Sequence, residues 1–218
     1  MIIPSSGTAD LFAFVAILGC SRMVAVRFAL DKTRPTTLRG IVRCTDDLGG
    51  ATADFLHDRD TALMAGTRAD GAPIYTPEWL DVAALLGTRP PACRPYRAQT
   101  EGKVERIIRE VKHDFLAWLA GRVVPEHPTL AWYDAQARAW ATGVHARRRH
   151  RTTGLVIGEA WEAERPLLVP VSGRLIARME GADTLVPPPA PTSASRMPAA
   201  AGETVEVRPL AVYAELAR

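Results

Sequence analysis

The sequence predicts a mixed α/β fold, in which helices cover a sheet, because strand-like and helix-like segments alternate along it. Two apolar runs, residues 11–18 and 24–30, have the length and composition of β-strands and flank a turn at residues 19–22. Farther along, apolar residues recur at spacings of three and four, which is the pattern of an amphipathic helix. The predicted order is β-β-α-β-α-β-α-α through residue 146, and a short helix and a tail follow.

Prolines and glycines set the boundaries of the first two predicted helices. Pro35 begins a helix that ends before Gly49, and Pro77 begins a second one that ends at Gly87. Proline is tolerated in the first turn of a helix, and glycine is favoured just after the last turn, so both pairs are typical of helix ends.

The remaining predicted elements are two short strands, a loop and three helices. Thr100 is a good N-cap for the first and longest of these helices. The predicted ranges are 54–58 and 88–93 for the strands, 59–75 for the loop, and 100–119, 130–146 and 158–165 for the helices.

The charge of the chain is concentrated in its centre. The net charge is +3, but residues 94–151 carry 12 of the 27 Lys and Arg and only 6 of the 24 Asp and Glu. A basic centre in an otherwise slightly acidic chain predicts one face that binds a polyanion. The alternative is an ordinary charged helix exposed to solvent.

Cysteine usage and hydropathy indicate a cytoplasmic protein. The three cysteines are far apart, odd in number and without a Cys-x-x-Cys pair, which disfavours a disulfide scaffold and a zinc knuckle. Each is expected to be a small core residue. No apolar run reaches the roughly 18 residues that a membrane span needs, and residues 11–19 read as a strand, not a signal peptide.

Two acids are candidate metal ligands. Asp58 ends a predicted strand and Glu105 lies in the first turns of the long helix, so both would project from rigid elements. Carboxylates held in this way suit Mg²⁺ and phosphoryl transfer. Asp54 and Asp60 compete with Asp58, and Glu105 could instead pair with Arg109 on the helix surface.

Basic residues surround these acids and recur later in the chain. They suit contacts with DNA phosphates, although cations after a helix can also complement its dipole. No Gly-x-x-x-x-Gly-Lys-Ser/Thr loop, Gly-x-Ser-x-Gly elbow or His-Glu-x-x-His pair is present. The candidate DNA-binding residues are Arg94, Arg97, Lys103, Arg106, Arg109, Lys112, Arg147, Arg148, Arg149 and Arg151.

The segment at residues 94–106, with the sequence RPYRAQTEGKVER, resembles the signature around the last catalytic acid of IstA-type insertion-sequence transposases. These proteins belong to the retroviral-integrase superfamily, which has an RNase H-like core. Further similar segments lie on both sides of it in the family's order, at residues 14–22, 56–59, 150–154 and 202–207.

The resemblance implies the function and the partners. It implies DNA transposition by an Asp-Asp-Glu triad that holds two Mg²⁺ or Mn²⁺ ions, with Asp58 as the second acid and Glu105 as the third. It also implies binding to transposon ends and target DNA, a homo-oligomer and an ATP-dependent helper protein.

The chain also departs from the family pattern. The first strand, which carries the first Asp in the family, is expected to be missing, and the C-terminal β module is expected to be partial. We therefore expect a truncated transposase, inactive alone, or a non-catalytic DNA-binding regulator derived from one. The expected domains are a partial catalytic core at residues 1–122, helices with the basic segment at 123–166, a Pro-rich linker at 167–201 and the start of a β module at 202–218.

Overall fold

The structure, a computed structural model, describes residues 2–4, 10–58, 60–90, 108–109 and 111–181, with only the backbone of residues 2–4 and 10. Its strands are β1 (Ile2–Pro4), β2 (Asp10–Ile17), β3 (Val24–Ala29), β4 (Met64–Thr67) and β5 (Pro73–Tyr75). Its helices are α1 (Arg34–Asp47), α2 (Pro77–Leu86), α3 (Leu116–Ala120), α4 (Leu130–Trp140), α5 (Ile157–Glu164) and α6 (Gly173–Met179). Strands followed by helices confirm the mixed α/β class.

Three short helical turns adjoin these helices. A π-helical turn at Val111–Phe115 leads into α3, and a second at Ala141–His145 extends α4. A 3-10 turn at Arg165–Leu167 follows α5. Residues 101–107 lie outside the described residues, so the structure shows only the last part of the long helix that the sequence predicts from residue 100.

The main sheet is an antiparallel meander of β1, β2 and β3. The predicted hairpin is confirmed: β2 and β3 pair from Phe12 opposite Ala29 to Ile17 opposite Val24. Arg22 in the turn has a φ of +67°, a left-handed conformation that is uncommon for residues other than glycine.

A short first strand is present, so the expectation that it is missing is wrong for these residues. Ile2–Pro4 pairs antiparallel with the start of β2, with Ile3 opposite Leu11. Two successive isoleucines favour extended backbone, and Ile2–Pro4 are the residues of this segment that the structure shows paired with β2. The strand has no acidic residue.

The predicted loop at residues 59–75 contains a hairpin of β4 and β5. Asp70 stabilises its turn, because its carboxylate accepts the Ala72 N–H at 2.9 Å. The two short strands predicted on either side reduce, in the described residues, to one parallel bridge between Asp54 and Arg89. Two hydrogen bonds make this bridge, from Phe55 N–H to the Arg89 carbonyl at 2.9 Å and from Arg89 N–H to the Ala53 carbonyl at 2.8 Å.

The helix ends follow the predicted chemistry. In α2 the Thr76 hydroxyl accepts the Trp79 N–H, Pro77 occupies the first turn, and Gly87 adopts a φ of +67° after the last turn. In α1, Gly40 lies so close to β2 that an added Cβ would sit 2.5 Å from the Phe14 ring, so glycine permits this helix to pack tightly on the sheet.

Two clusters of buried side chains form the core. The first lies between β2 and β3 and the helices α3 and α4, and includes Phe115 and Trp140. The second lies between α1, α2 and α6 and centres on Trp79, whose side chain is fully buried. Both clusters belong to one compact unit, Met1–Thr184.

Cysteine placement agrees with the core prediction at one position only. Cys44 is buried in the first cluster, and burial raises the pKa of its thiol. Cys20 is exposed in the turn between β2 and β3, so the core prediction is wrong there, and Cys93 lies outside the described residues.

The described part of the expected linker, residues 167–181, contains helix α6. Helix α6 packs against α1, and Leu175 is buried in the second core cluster. The Ser172 hydroxyl caps α6 by accepting the Leu175 N–H at 3.2 Å. Residues 182–218, which include the Pro-rich stretch and the expected β module, lie outside the described residues. No helix in the described part of the chain is long and apolar enough to cross a membrane.

Candidate metal and DNA-binding residues

Asp58 lies in an exposed segment between two fixed points. The segment begins at the parallel bridge between Asp54 and Arg89 and ends at a turn that starts at Asp60. The Asp58 carbonyl accepts the Asp60 N–H at 2.7 Å. Asp58 is therefore not at the end of a strand, as the sequence predicts, but in an irregular segment whose two ends are held.

The three acids of this segment differ in what their carboxylates do. Asp54 forms an exposed ion pair with Arg89, at 3.2 Å between Oδ1 and Nη2. Asp60 caps the following turn, because its Oδ1 accepts the Ala62 N–H at 2.8 Å. The Asp58 carboxylate is exposed and has no hydrogen bond or ion pair with another described residue. Of the three, Asp58 has the carboxylate that is open to a ligand.

His57 packs against aromatic residues of the second core cluster. Its ring lies 5.6 Å from the rings of Tyr75 and Trp79, both edge-on, and 6.5 Å from that of Phe55. Its Nδ1 lies 2.7 Å from the Asp58 carbonyl oxygen. The His57 ring is therefore packed against the second core cluster.

The second candidate acid lies outside the described residues. Glu105 belongs to residues 91–107, together with Arg94, Arg97, Lys103 and Arg106. Their proximity to Asp58 remains a prediction from the sequence. Among the residues that the structure describes, no group of three or more His, Cys, Asp or Glu side chains is placed to hold a metal ion.

The described basic candidates lie on two elements. Arg109 and Lys112 are exposed, in the helical residues before α3 and in its π-helical turn. Arg147, Arg149 and Arg151 are exposed in the segment that follows α4 and its π-helical turn.

The basic segment after α4 is an ordered turn and not a frayed helix end. The backbones of Arg149 and Val156 form an antiparallel bridge, and His150 N–H donates to the Leu155 carbonyl at 2.8 Å. Gly154, with a φ of +71°, closes the turn, and the Arg149 guanidinium donates to its carbonyl at 2.5 Å. The turn holds several arginines at one place on the surface.

An ion pair joins the two basic elements. Arg148 Nη1 lies 2.5 Å from Asp114 Oδ2, which belongs to the same π-helical turn as Lys112. Both side chains are about one-third exposed, so solvent screens the pair and its contribution to stability is modest, about 1 kcal/mol or less. The geometric consequence of the ion pair matters more. It places the basic turn after α4 beside the helical residues that carry Arg109 and Lys112, which we call the basic helix.

The basic turn is also tied to the main sheet. His145, which is buried just before the turn, has its Nε2 3.0 Å from the Arg22 carbonyl oxygen between β2 and β3. The same β2–β3 turn is held from α5, because the Glu164 carboxylate accepts the Ser21 N–H at 2.8 Å. These contacts fix the basic surface relative to the core.

A buried charge network is the main polar feature that local sequence patterns do not predict. Arg27 on β3 donates from Nη2 to Asp47 Oδ1 at the end of α1, at 2.7 Å, and from Nη1 to Asp134 Oδ2 on α4, at 3.1 Å. Asp134 also accepts the Phe28 N–H at 2.9 Å. Burial lowers the pKa of Arg27, but Asp47 and Asp134 outweigh it and hold that pKa above its ordinary value. The signal was a lone arginine in an otherwise apolar strand.

The chain is similar to transposases of bacterial insertion sequences. A putative transposase for insertion sequence element IS5376 from Geobacillus stearothermophilus is 30% identical over 154 residues, which cover 71% of this chain and 37% of that protein. A transposase for an IS21-like element from Bacteroides fragilis is 26% identical over 175 residues, 78% of this chain and 32% of that protein. A transposase for IS21 from Pseudomonas aeruginosa is 33% identical over 101 residues. The relatives of this chain are therefore insertion-sequence transposases.

The matches cover about a third or less of each relative's length. The chain spans 37%, 32% and 26% of the lengths of these three curated relatives. No protein-family model matches the chain. The resemblance to insertion-sequence transposases is thus confirmed, while the activity of a whole transposase is not shown for this chain.

A solved structure shares the fold. A chain of the simian T-cell lymphotropic virus intasome, solved in complex with PP2A regulatory subunit B56 gamma, matches with a TM-score of 0.54. The match covers 75% of this chain and 52% of that chain at 15% sequence identity. At this identity the likeness concerns the mixed α/β fold alone.

Proposed function

We propose that this chain is part of the catalytic core of an IstA-type transposase and acts in DNA transposition, with an RNase H-like arrangement of its sheet and helices. The observation that carries the proposal is the similarity to the IS5376 transposase over 154 residues. The shared fold with a retroviral intasome chain supports it. The signature at residues 94–106 adds the residues that would do the chemistry.

Asp58 and Glu105 would hold the divalent metal. The Asp58 carboxylate is exposed and has no partner among the described residues, so its oxygens can bind a cation. Carboxylate oxygens are the protein ligands that Mg²⁺ and Mn²⁺ prefer. When bound, such ions would activate a water or a DNA 3′-hydroxyl and stabilise the leaving oxygen.

The basic turn after α4 and the basic helix would hold DNA phosphates. Arg147 and Arg151 are exposed, and Arg148 positions the turn beside Lys112 by its ion pair with Asp114. Phosphate contacts of this kind set register and affinity but read no sequence. Binding to transposon ends and target DNA, assembly of several copies and an ATP-dependent helper are further parts of the proposal.

By the resemblance to the family, Asp58 and Glu105 would supply two of the three acids of the triad. We expect the chain alone to bind DNA without cleaving it, because one metal ligand of the triad has no match within it. The second candidate function, a non-catalytic DNA-binding regulator, shares this expectation of DNA binding but gives Glu105 no role.

The test is binding of the purified chain to duplex DNA as a function of salt, with and without Mg²⁺, with cleavage scored on the same samples. We expect steeply salt-dependent binding, because counterions are released from the phosphates, and no cleavage. We also expect Glu105→Gln to remove any effect of Mg²⁺ on binding. Glu101→Gln, four residues earlier, is the matched control and should behave as the unaltered chain.

Each outcome separates the candidates. Salt-independent or absent binding would contradict both functions. Binding that Mg²⁺ strengthens in the unaltered chain, but not in Glu105→Gln, would favour the transposase core over the regulator. Cleavage that depends on Mg²⁺ and Glu105 would show that another residue supplies the first acid of the triad, and the expected inactivity would then be wrong.

A further inference from the structure

The backbone around Asp58 has little regular structure to fix it. A metal ligand must hold its carboxylate in place, and strands and helices normally provide that rigidity. Here the nearest regular contacts are the Asp54–Arg89 bridge and the turn at Asp60. Something else must restrain the residue between them.

His57 makes the contact that supplies this restraint. Its Nδ1 lies 2.7 Å from the Asp58 carbonyl oxygen. Because a carbonyl oxygen only accepts hydrogen bonds, Nδ1 must carry the proton and donate. The same oxygen accepts the Asp60 N–H at 2.7 Å, so two donors hold the Asp58 peptide.

The ring that donates this bond is itself held by the core. Trp79 lies edge-on to it at 5.6 Å with an interplanar angle of 88°, and the side chain of Trp79 is fully buried. Tyr75 on β5 contacts it from a second element at 5.6 Å. Edge-to-face contacts of this kind favour one ring orientation, so the donor points in a fixed direction.

We propose that His57 is a positioning residue, which couples the exposed Asp58 to the second core cluster through its ring packing and its Nδ1–H. The inference rests on the proposed function, because it concerns the acid to which a metal role is assigned. His57 does not contact the metal. It fixes the peptide that carries the ligand, as residues hydrogen-bonded to metal ligands commonly do.

Two substitutions separate the hydrogen bond from the packing. His57→Phe keeps an aromatic ring against Tyr75 and Trp79 but removes the donor. His57→Asn keeps a donor, because the amide nitrogen of asparagine falls close to the place of Nδ1, but removes the ring. Asp58→Asn removes the ligand itself.

Two measurements are made on the full chain. The first is the Mn²⁺ dissociation constant, followed by the electron paramagnetic resonance of free Mn²⁺. We expect this dissociation constant to rise about tenfold in His57→Phe, the size of effect that follows the loss of a residue hydrogen-bonded to a metal ligand. In His57→Asn we expect it to return close to the value of the unaltered chain. The second measurement is made by NMR without metal. It gives the order parameter of the Asp58 amide and the hydrogen-exchange rate of the Asp60 amide. We expect less order and faster exchange in His57→Phe.

The outcomes distinguish the two proposals. If Asp58→Asn weakens Mn²⁺ binding and His57→Phe does not, the positioning role is overturned and the metal role of Asp58 stands. Equal weakening in His57→Phe and His57→Asn would also overturn it, since packing would then account for the effect. If Asp58→Asn leaves Mn²⁺ binding unchanged, the metal role fails, and the metal-free measurement decides: an unchanged Asp58 amide in His57→Phe overturns the positioning role.

Discussion

Acids in the two core regions of this protein have opposite environments. In the first region Asp47 and Asp134 lie against Arg27 between β3, α1 and α4, and Asp134 also accepts a backbone N–H. Beside the second core cluster, Asp58 is exposed and its carboxylate has no partner among the described residues. Asp47 and Asp134 stabilise the fold, whereas Asp58 is open to a ligand.

The difference shows how to separate structural from candidate functional acids. A buried carboxylate must be paired, because desolvation of an unpaired charge is costly. An exposed carboxylate without a partner contributes little to folding, and its position has to be explained in another way. Here that explanation is a backbone held by His57 and Asp60.

The largest effect is expected from breaking the buried network. Asp134→Ala leaves Arg27 with one acid and the Phe28 N–H without its acceptor, so the free energy of unfolding should fall by about 3 kcal/mol or more. Urea denaturation measures it. Asp81→Ala, on the exposed face of α2, is the control and should change it by about 0.5 kcal/mol or less. A loss in Asp134→Ala no larger than the control's would contradict the structural role of the network.

The next effect concerns the basic turn. Arg147→Ala and Arg151→Ala should each reduce the slope of log affinity for duplex DNA against log salt by about 1, since each removes one phosphate contact. Stability should change little because both side chains are exposed. Arg174→Ala on α6, also exposed, is the control. Slopes that fall equally in all three variants would argue for unspecific attraction by net charge.

The smallest effect is expected at Asp58 itself. Asp58→Asn should change the free energy of unfolding by about 0.5 kcal/mol or less, because the carboxylate makes no described contact that the fold needs. The same urea measurement tests it beside Asp134→Ala. A loss comparable to that of Asp134→Ala would mean that Asp58 is a structural acid, and the contrast between the two regions would fail.

The sequence predicted α1 and α2 well because the ends of these helices are chemically marked. Pro77 and Gly87 bound α2, and Pro35 begins α1 as expected. The hairpin of β4 and β5 was missed, since the residues of β4, Met-Ala-Gly-Thr, show no alternation of apolar and polar side chains. The strand expected at residues 54–58 is a single bridge, which tertiary contact with Arg89 alone defines.

The candidate site was only partly accessible to sequence reasoning. The signature around Glu105 and the arginines after α4 are local patterns, so a sequence shows them directly. The Arg27 network joins residues more than 100 positions apart, and the pairing of Arg148 with Asp114 spans 34 positions. Such contacts depend on how helices pack, which no local pattern encodes.

The most direct test of the central proposal is a double-mutant cycle of Mn²⁺ affinity with Asp58→Asn, Glu105→Gln and both together. If the two acids hold the same metal site, each single change weakens binding, and the combined loss differs from the sum of the two by more than about 0.5 kcal/mol. Losses that add within that margin, or single changes without effect, would contradict a metal site shared by Asp58 and Glu105.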